Sequence, residues 1–238
     1  METEISRASQ TARRGTGRYD VEGYLDAIEG VTFTFRKAIE AYVNSGPNMG
    51  CWQYARSMAE QIGLIDDMRQ VITMDVVPKS AAGPLLAEML NTQTGVGRLL
   101  QDMKRQVTGF AIEAGFSGPD RRVPRSMIAG IHALSDEVCA AVRALVEHCR
   151  ACCLAEQATG DAESEERVAW YESEADRLST QMIKTILADD TLTVECKLPL
   201  TQLVEEIDRI ADYAAAIEGG FQTRCAELAG DADAPRAH

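Results

Sequence analysis

At 238 residues the chain can bury a substantial core, and with a formal net charge of −13 it lacks the clustered Lys and Arg that phosphate-backbone recognition requires, which excludes a nucleic-acid binder. Hydrophobic residues make up 45% of the chain but aromatics only 5%, a balance that favours helices over a β-sandwich and predicts an all-α fold. No apolar run approaches the roughly 20 residues of a membrane span and no apolar signal core follows the N-terminal charges, so a cytosolic protein is expected, with its seven cysteines as thiols.

Residues 1–19 form a Ser/Thr/Gly-rich leader carrying Arg7, Arg13, Arg14 and Arg18, and read as flexible. Apolar residues then recur at helical spacing through six segments. The first runs from about Asp20 to Asn44, and SGPNMG breaks it. The second spans roughly Cys51 to Met74 and closes at Pro78 and Gly83; the third covers about Pro84 to Ala114. GFSGPDRRVP, from Gly115 to Pro124, is the richest Gly/Pro stretch in mid-chain and marks the boundary between two units. The pattern restarts from Arg125 to Glu156, Glu163 to Ala188 and Leu198 to Leu228. The tail, 229–238, lacks apolar content and is expected to be disordered.

Three helices, a linker and three helices suggest duplication. An offset of 103 lays Leu25, Ile28, Val31, Phe35 and Ile39 on Ile128, Ile131, Leu134, Val138 and Val142, apolar on apolar throughout. Offsets of 110 and 114 serve the second and third helices, so the shift grows only at loops. The expectation is two tandem three-helix-bundle repeats, at 20–114 and 125–228, joined by the linker 115–124.

Two acidic stretches in the second repeat carry the chemistry. YESEADR places Glu172 and Asp176 four residues apart, and VEEIDRIADY does the same with Asp208 and Asp212, with Glu205 one turn earlier. On a helix, i and i+4 share a face, so each stretch becomes a two-pronged oxygen ligand. Both prongs flank an apolar stripe: Val168, Tyr171, Ala175, Leu178 and Met182 in one, Val204, Ile207, Ala211 and Ala214 in the other. No Lys or Arg follows any of these aspartates at i+4, unlike an ordinary solvated acidic face. Four carboxylates brought together must hold either protons or a cation. The donor set has neither His nor Cys and suits Mg, Ca, Mn or ferric iron.

The run from Glu172 to Ala216 resembles the PhoU-like phosphate transport regulators, most of all the accessory proteins of inorganic phosphate permeases. That resemblance implies two three-helix repeats with an E/DxxxD signature that binds metal clusters, iron or zinc. Carried over by residue, it marks Glu172, Asp176, Asp208 and Asp212 as ligands, with Glu205 as a fifth candidate. The first repeat departs from the pattern, with Ile62, Thr94 and Arg98 in place of Glu172, Asp208 and Asp212, and only Asp66 kept. A single metal site in the second repeat is therefore expected. The resemblance implies a non-enzymatic cytosolic regulator whose partner is an inorganic phosphate permease at the inner membrane face. An acidic chain does not dock on anionic lipid by charge, so membrane association would run through a protein partner, and a homodimer is a further expectation. The alternatives are a metal-dependent helical hydrolase of phosphate esters and a purely structural helical protein.

Other signals are weaker. HCRACC, from His148 to Cys153, offers soft ligands, though small buried thiols near a helix end are the commoner outcome. GVGR, from Gly95 to Arg98, lies inside the third predicted helix and marks close packing, not a phosphate loop. Trp52 and Trp170 begin the second and fifth helices and are expected to be packing anchors. The ExxH pairs of ferritin-like di-iron proteins are missing, since Ala129 and Leu145 precede His132 and His148 by three.

Overall fold

The structure, a computed structural model, describes residues 19–116, 123–154 and 162–233. Most of the leader, the core of the linker and the last five residues of the tail lie outside them. Among the described residues there are seven α-helices and no strand: α1 Val21–Ser45, α2 Met49–Val71, α3 Gly83–Met89, α4 Val96–Phe116, α5 Arg125–Leu154, α6 Ala162–Ala188 and α7 Val194–Asp233. The all-α architecture and the order of two helical repeats follow the sequence pattern.

Local chemistry sets the boundaries. Asp20 caps α1 by accepting from Gly23 N at 2.9 Å, and α1 ends at Gly46, whose φ of 68° suits a residue without Cβ. Asn48 caps α2 by accepting from Gly50 N at 2.7 Å. Instead of continuing as α-helix to Met74, α2 passes at Ile72–Val76 into a π turn and at Val77–Lys79 into a 3-10 turn, where Pro78 ends the run.

The third predicted segment is two helices. NTQTG interrupts it, because Asn91 Oδ1 accepts from Gln93 N at 2.9 Å and from Thr94 N at 3.3 Å and so offers the backbone a turn in place of helix. Gly95 seals the break: a Cβ there would lie 2.5 Å from Met89 O, 2.6 Å from Glu88 O and 2.7 Å from Asn91 O. Gly95 therefore sits in a turn and not inside a helix as expected.

The sixth segment begins four residues earlier than Leu198, since Thr193 O already accepts from Cys196 N and Lys197 N. Pro199 consequently lies inside α7. The same helix continues to Asp233, through the first five residues of the stretch expected to be disordered.

The core forms around the first helices of the two repeats, which pack against each other. Tyr24, Leu25, Ile28, Val31, Phe35 and Ile39 of α1 are fully buried, as are Ile131, Leu134 and Val138 of α5. Each such aliphatic or aromatic side chain contributes about 1.5–3 kcal/mol by leaving water. Helix α2 covers α1 and α4, while α6 and α7 cover α5. Gly130 of α5 lets Met182 of α6 approach closely, with Sδ only 3.1 Å from where a Cβ would stand. Polar links reinforce the junction: Arg36 bonds Asp136 across it, and Arg150 reaches Glu22, Asp26 and Glu29 at 2.9, 3.0 and 3.4 Å. Helix α7 also touches α3 and α4, so the second repeat's last helix lies along the first repeat.

Candidate metal centre

Helices α6 and α7 pack side by side, and their apolar stripes set the azimuth of the acids. Val168, Ala175 and Met182 are buried on α6, as are Val204, Ile207, Ala211 and Ala214 on α7, which leaves the adjacent carboxylates at the rim of the seam. One carboxylate oxygen from each of Glu172, Asp176 and Asp212 lies within 4.8 Å of the others. Glu172 is half-buried, whereas Asp176 and Asp212 are exposed. This is the one such group of three among the described residues.

Asp208 stands one turn below Asp212, deeper in the seam. Its Oδ2 accepts from Ser179 Oγ of α6 at 2.5 Å, and its buried Oδ1 has no partner. Burial, followed by the charges of Asp176 and Asp212, pushes its carboxyl up to about 6, against the opposing effect of the Ser179 hydroxyl. Asp212 is also raised, by burial first and then by Asp176, with Arg209 offsetting part of the effect. Like charges crowd one rim, and Asp208 among them is partly withdrawn from water, which is the electrostatic condition for drawing a cation or keeping a proton. Glu205 is exposed and does not join the group. A groove of about 490 Å³ starts at Asp176 and follows α6 past Thr180 to Lys184. Arg177 is held by Glu174 at 2.8 Å.

The corresponding residues of the first repeat do something else. Ile62 is 2% exposed within the core, and Asp66 pairs with Arg69 at 3.5 Å. Thr94 lies in the turn before α4, bonded to Glu88 at 3.4 Å, so Thr94 and Arg98 do not form a helical pair at all. Arg98 instead donates to Tyr213 Oη of α7 at 3.0 Å, lies over that ring at 5.2 Å, and pairs with Asp102 at 3.3 Å.

Sequence reasoning missed Ser179 and Tyr213. Ser179 follows Asp176 by three residues and Glu172 by seven, a spacing that places it on the ligand face and was available as a signal. Nothing in the sequence pairs Tyr213 with Arg98.

His148, Cys149, Cys152 and Cys153 are all buried, with His148 edge-on to Phe221 of α7 and its Nε2 3.5 Å from Cys152 Sγ. Burial raises the Cys149 thiol and pushes Cys153 up to about 12, which holds both as packed thiols. The two tryptophans differ from expectation: Trp52 is 48% and Trp170 56% exposed. Trp52 packs against Gly115 and Trp170 lies edge-on to Tyr171 at 5.0 Å.

Comparison with known proteins decides the fold. A crystal structure of a PhoU-like phosphate regulatory protein from Shewanella oneidensis MR-1 matches 86% of this chain and 93% of that one, with a TM-score of 0.63 at 14% identity. A PhoU-like protein from the same organism matches 86% and 96%, with a TM-score of 0.64 at 14% identity. The chain has a PhoU-like fold. No family model and no curated protein sequence matches it. Among the described residues, no helix of this PhoU-like chain is long and apolar enough to cross a membrane.

Proposed function

We propose that the protein is a cytosolic, metal-binding, non-enzymatic regulator or accessory protein of inorganic phosphate transport. One observation carries the metal reading: three carboxylates from two helices converge within 4.8 Å. Beside them Asp208 keeps a buried oxygen unpaired, so the residues present fit an oxygen-ligated cation. Glu172, Asp176 and Asp212 hold it in this reading, and Asp208 turns its Oδ1 to the same ion. Oxygen donors suit Mg, Ca, Mn or ferric iron, while the family resemblance points to iron or zinc. When bound, the cation neutralises the acids and fixes α6 to α7.

The link to phosphate rests on the PhoU-like fold and on the name given to one of the matched structures. By the same resemblance the partner is an inorganic phosphate permease, met at the inner face of the membrane. A phosphate-ester hydrolase is the weaker reading: Arg177 is committed to Glu174, and two of the three converging acids are exposed instead of enclosed with a general base.

Elemental analysis of the purified protein beside the double variant Asp176→Ala, Asp212→Ala tests the site. The expected result is a transition metal or alkaline-earth ion bound by the wild type and lost from the variant, with helicity unchanged. Equal metal content in the two proteins would remove the site.

A further inference from the structure

Near its C-terminus α5 packs against α7, and the contact encloses groups that an apolar core does not require. His148, Cys149 and Cys152 of α5 are 2%, 0% and 6% exposed, and Glu218 of α7 is 4% exposed. Glu218 is the one carboxylate buried to this degree among the described residues. On α5 the three donors share a face, since Cys152 follows His148 by four residues and Cys149 by three. On α7, Phe221 stands one turn after Glu218 and meets the His148 ring edge-on at 6.2 Å, which turns Glu218 toward that face. Glu218 also acts on the Cys149 thiol, as do Cys152 and Cys153. Ala or Val would fill this space without withdrawing an imidazole and a carboxylate from water.

We propose that His148, Cys149, Cys152 and Glu218 form a zinc site that ties α7 to α5. Zinc binds an imidazole nitrogen at about 2.0–2.1 Å and a thiolate sulfur at about 2.3 Å, and at a tetrahedral angle two such bonds hold N and S about 3.5 Å apart. His148 Nε2 and Cys152 Sγ are 3.5 Å apart, so this pair already stands at chelate spacing, with a hydrogen bond in place of the ion. Cys149 and Glu218 complete the shell. No three of these donors lie within 4.8 Å of one another, so binding draws the last two inward by rotation about their side-chain bonds. As each sulfur–zinc bond forms, the thiol gives its proton to solvent, and the ion thereby replaces two protons. Two thiolates and an imidazole favour zinc over Mg, Ca or Mn. Four protein donors leave no position for water, as in a structural site. Asp212 precedes Glu218 by six residues, about 9 Å along α7, so this site shares a helix with the acidic rim but no ligand, and does not depend on it.

The test adds Co(II), a spectroscopic stand-in for zinc, to the reduced, metal-free full chain. Tetrahedral visible bands and a thiolate-to-cobalt charge-transfer band are expected, both abolished when zinc displaces the cobalt. In competition with a chromophoric chelator, Cys149→Ser, Cys152→Ser, His148→Gln and Glu218→Gln are each expected to weaken zinc binding at least about tenfold. Cys196→Ser, at the exposed cysteine, is expected to leave it unchanged. The Asp176→Ala, Asp212→Ala protein is expected to keep the thiolate band, which an all-oxygen rim cannot produce, so the failure of either site is read apart from the other. Where a variant does not fold, the wild-type cobalt spectrum decides. No thiolate band in the wild type, a band that grows only as helicity is lost, or zinc binding undiminished in Cys149→Ser and Cys152→Ser would overturn the proposal.

Discussion

At the scale of single residues, Asp208 carries the clearest electrostatic consequence. Its folded carboxyl titrates near 6 against an ordinary 3.8, so between these values the folded chain holds a proton that the unfolded chain has released. The stabilisation is therefore full below about 4 and is lost as pH rises through about 6. Thermal melts in chelator at pH 4.5, 5.5 and 7 are expected to show a falling midpoint, and Asp208→Asn is expected to flatten the dependence and melt higher than wild type at pH 7. A midpoint that rises with pH to the same extent in both proteins would show that other groups control it. The candidate ligands themselves were legible in the sequence, because i, i+4 spacing on the border of an apolar stripe is a property of one helix. What was not legible was the depth of each acid. Asp208 lies lower in the seam than Asp212, and Ser179 bonds it, only because of how α6 and α7 meet. Glu205 shows the converse limit: one turn before Asp208 on paper, it faces solvent in the fold.

At the scale of elements, the break between α3 and α4 separates the repeats most sharply. Helical periodicity alone carries across NTQTG, since apolar residues on both sides stay nearly in phase, and so the sequence reads as one helix. The turn arises from Asn91 Oδ1 competing for backbone donors and from three carbonyls closing on Gly95. Gly95→Ala is expected to destabilise the protein by about 2 kcal/mol, because backbone oxygens cannot swing aside as a side chain does. Urea denaturation measures this, and a variant within about 0.5 kcal/mol of wild type would show that the turn relaxes freely. Proline misleads in the other direction. Pro199 reads as a helix start, yet the carbonyl of Thr193 begins α7 a turn earlier and the proline is carried inside. The π and 3-10 turns after Val71 were likewise hidden behind a boundary that the sequence marked only by Pro78 and Gly83.

At the scale of the whole molecule, the repeats are not beads on a string. The largely apolar faces of α1 and α5 bury each other, and α7 lies along α3 and α4, so neither repeat completes its core alone. The duplication was legible as a rhythm of six segments with offsets that change at loops. The mutual burial of the two first helices was not legible, because apolar periodicity marks a buried face without naming the helix that covers it. Arg150, gathering three acids of α1, adds alignment more than stability, since partly exposed ion pairs contribute about 0–1 kcal/mol.

The two tryptophans, expected as packing anchors and found about half exposed, give the molecule an optical asset. There is one in each repeat, each about half exposed on a covering helix, Trp52 in the first turn of α2 and Trp170 about two turns into α6, and Trp170 stands two residues before Glu172. Replacing either by Phe leaves a single intrinsic fluorophore that reports on one repeat. With Trp170→Phe the emission of Trp52 follows the first half of the chain; with Trp52→Phe that of Trp170 follows the second, and the rim of the acids with it. Given the shared core, the two fluorescence transitions in urea are expected to coincide. Added metal is expected to move both transitions together while changing the emission of Trp170 alone in the folded state. Two separate midpoints would mean that the halves melt independently, and the chain would then carry its own spectroscopic record of which half the ion holds.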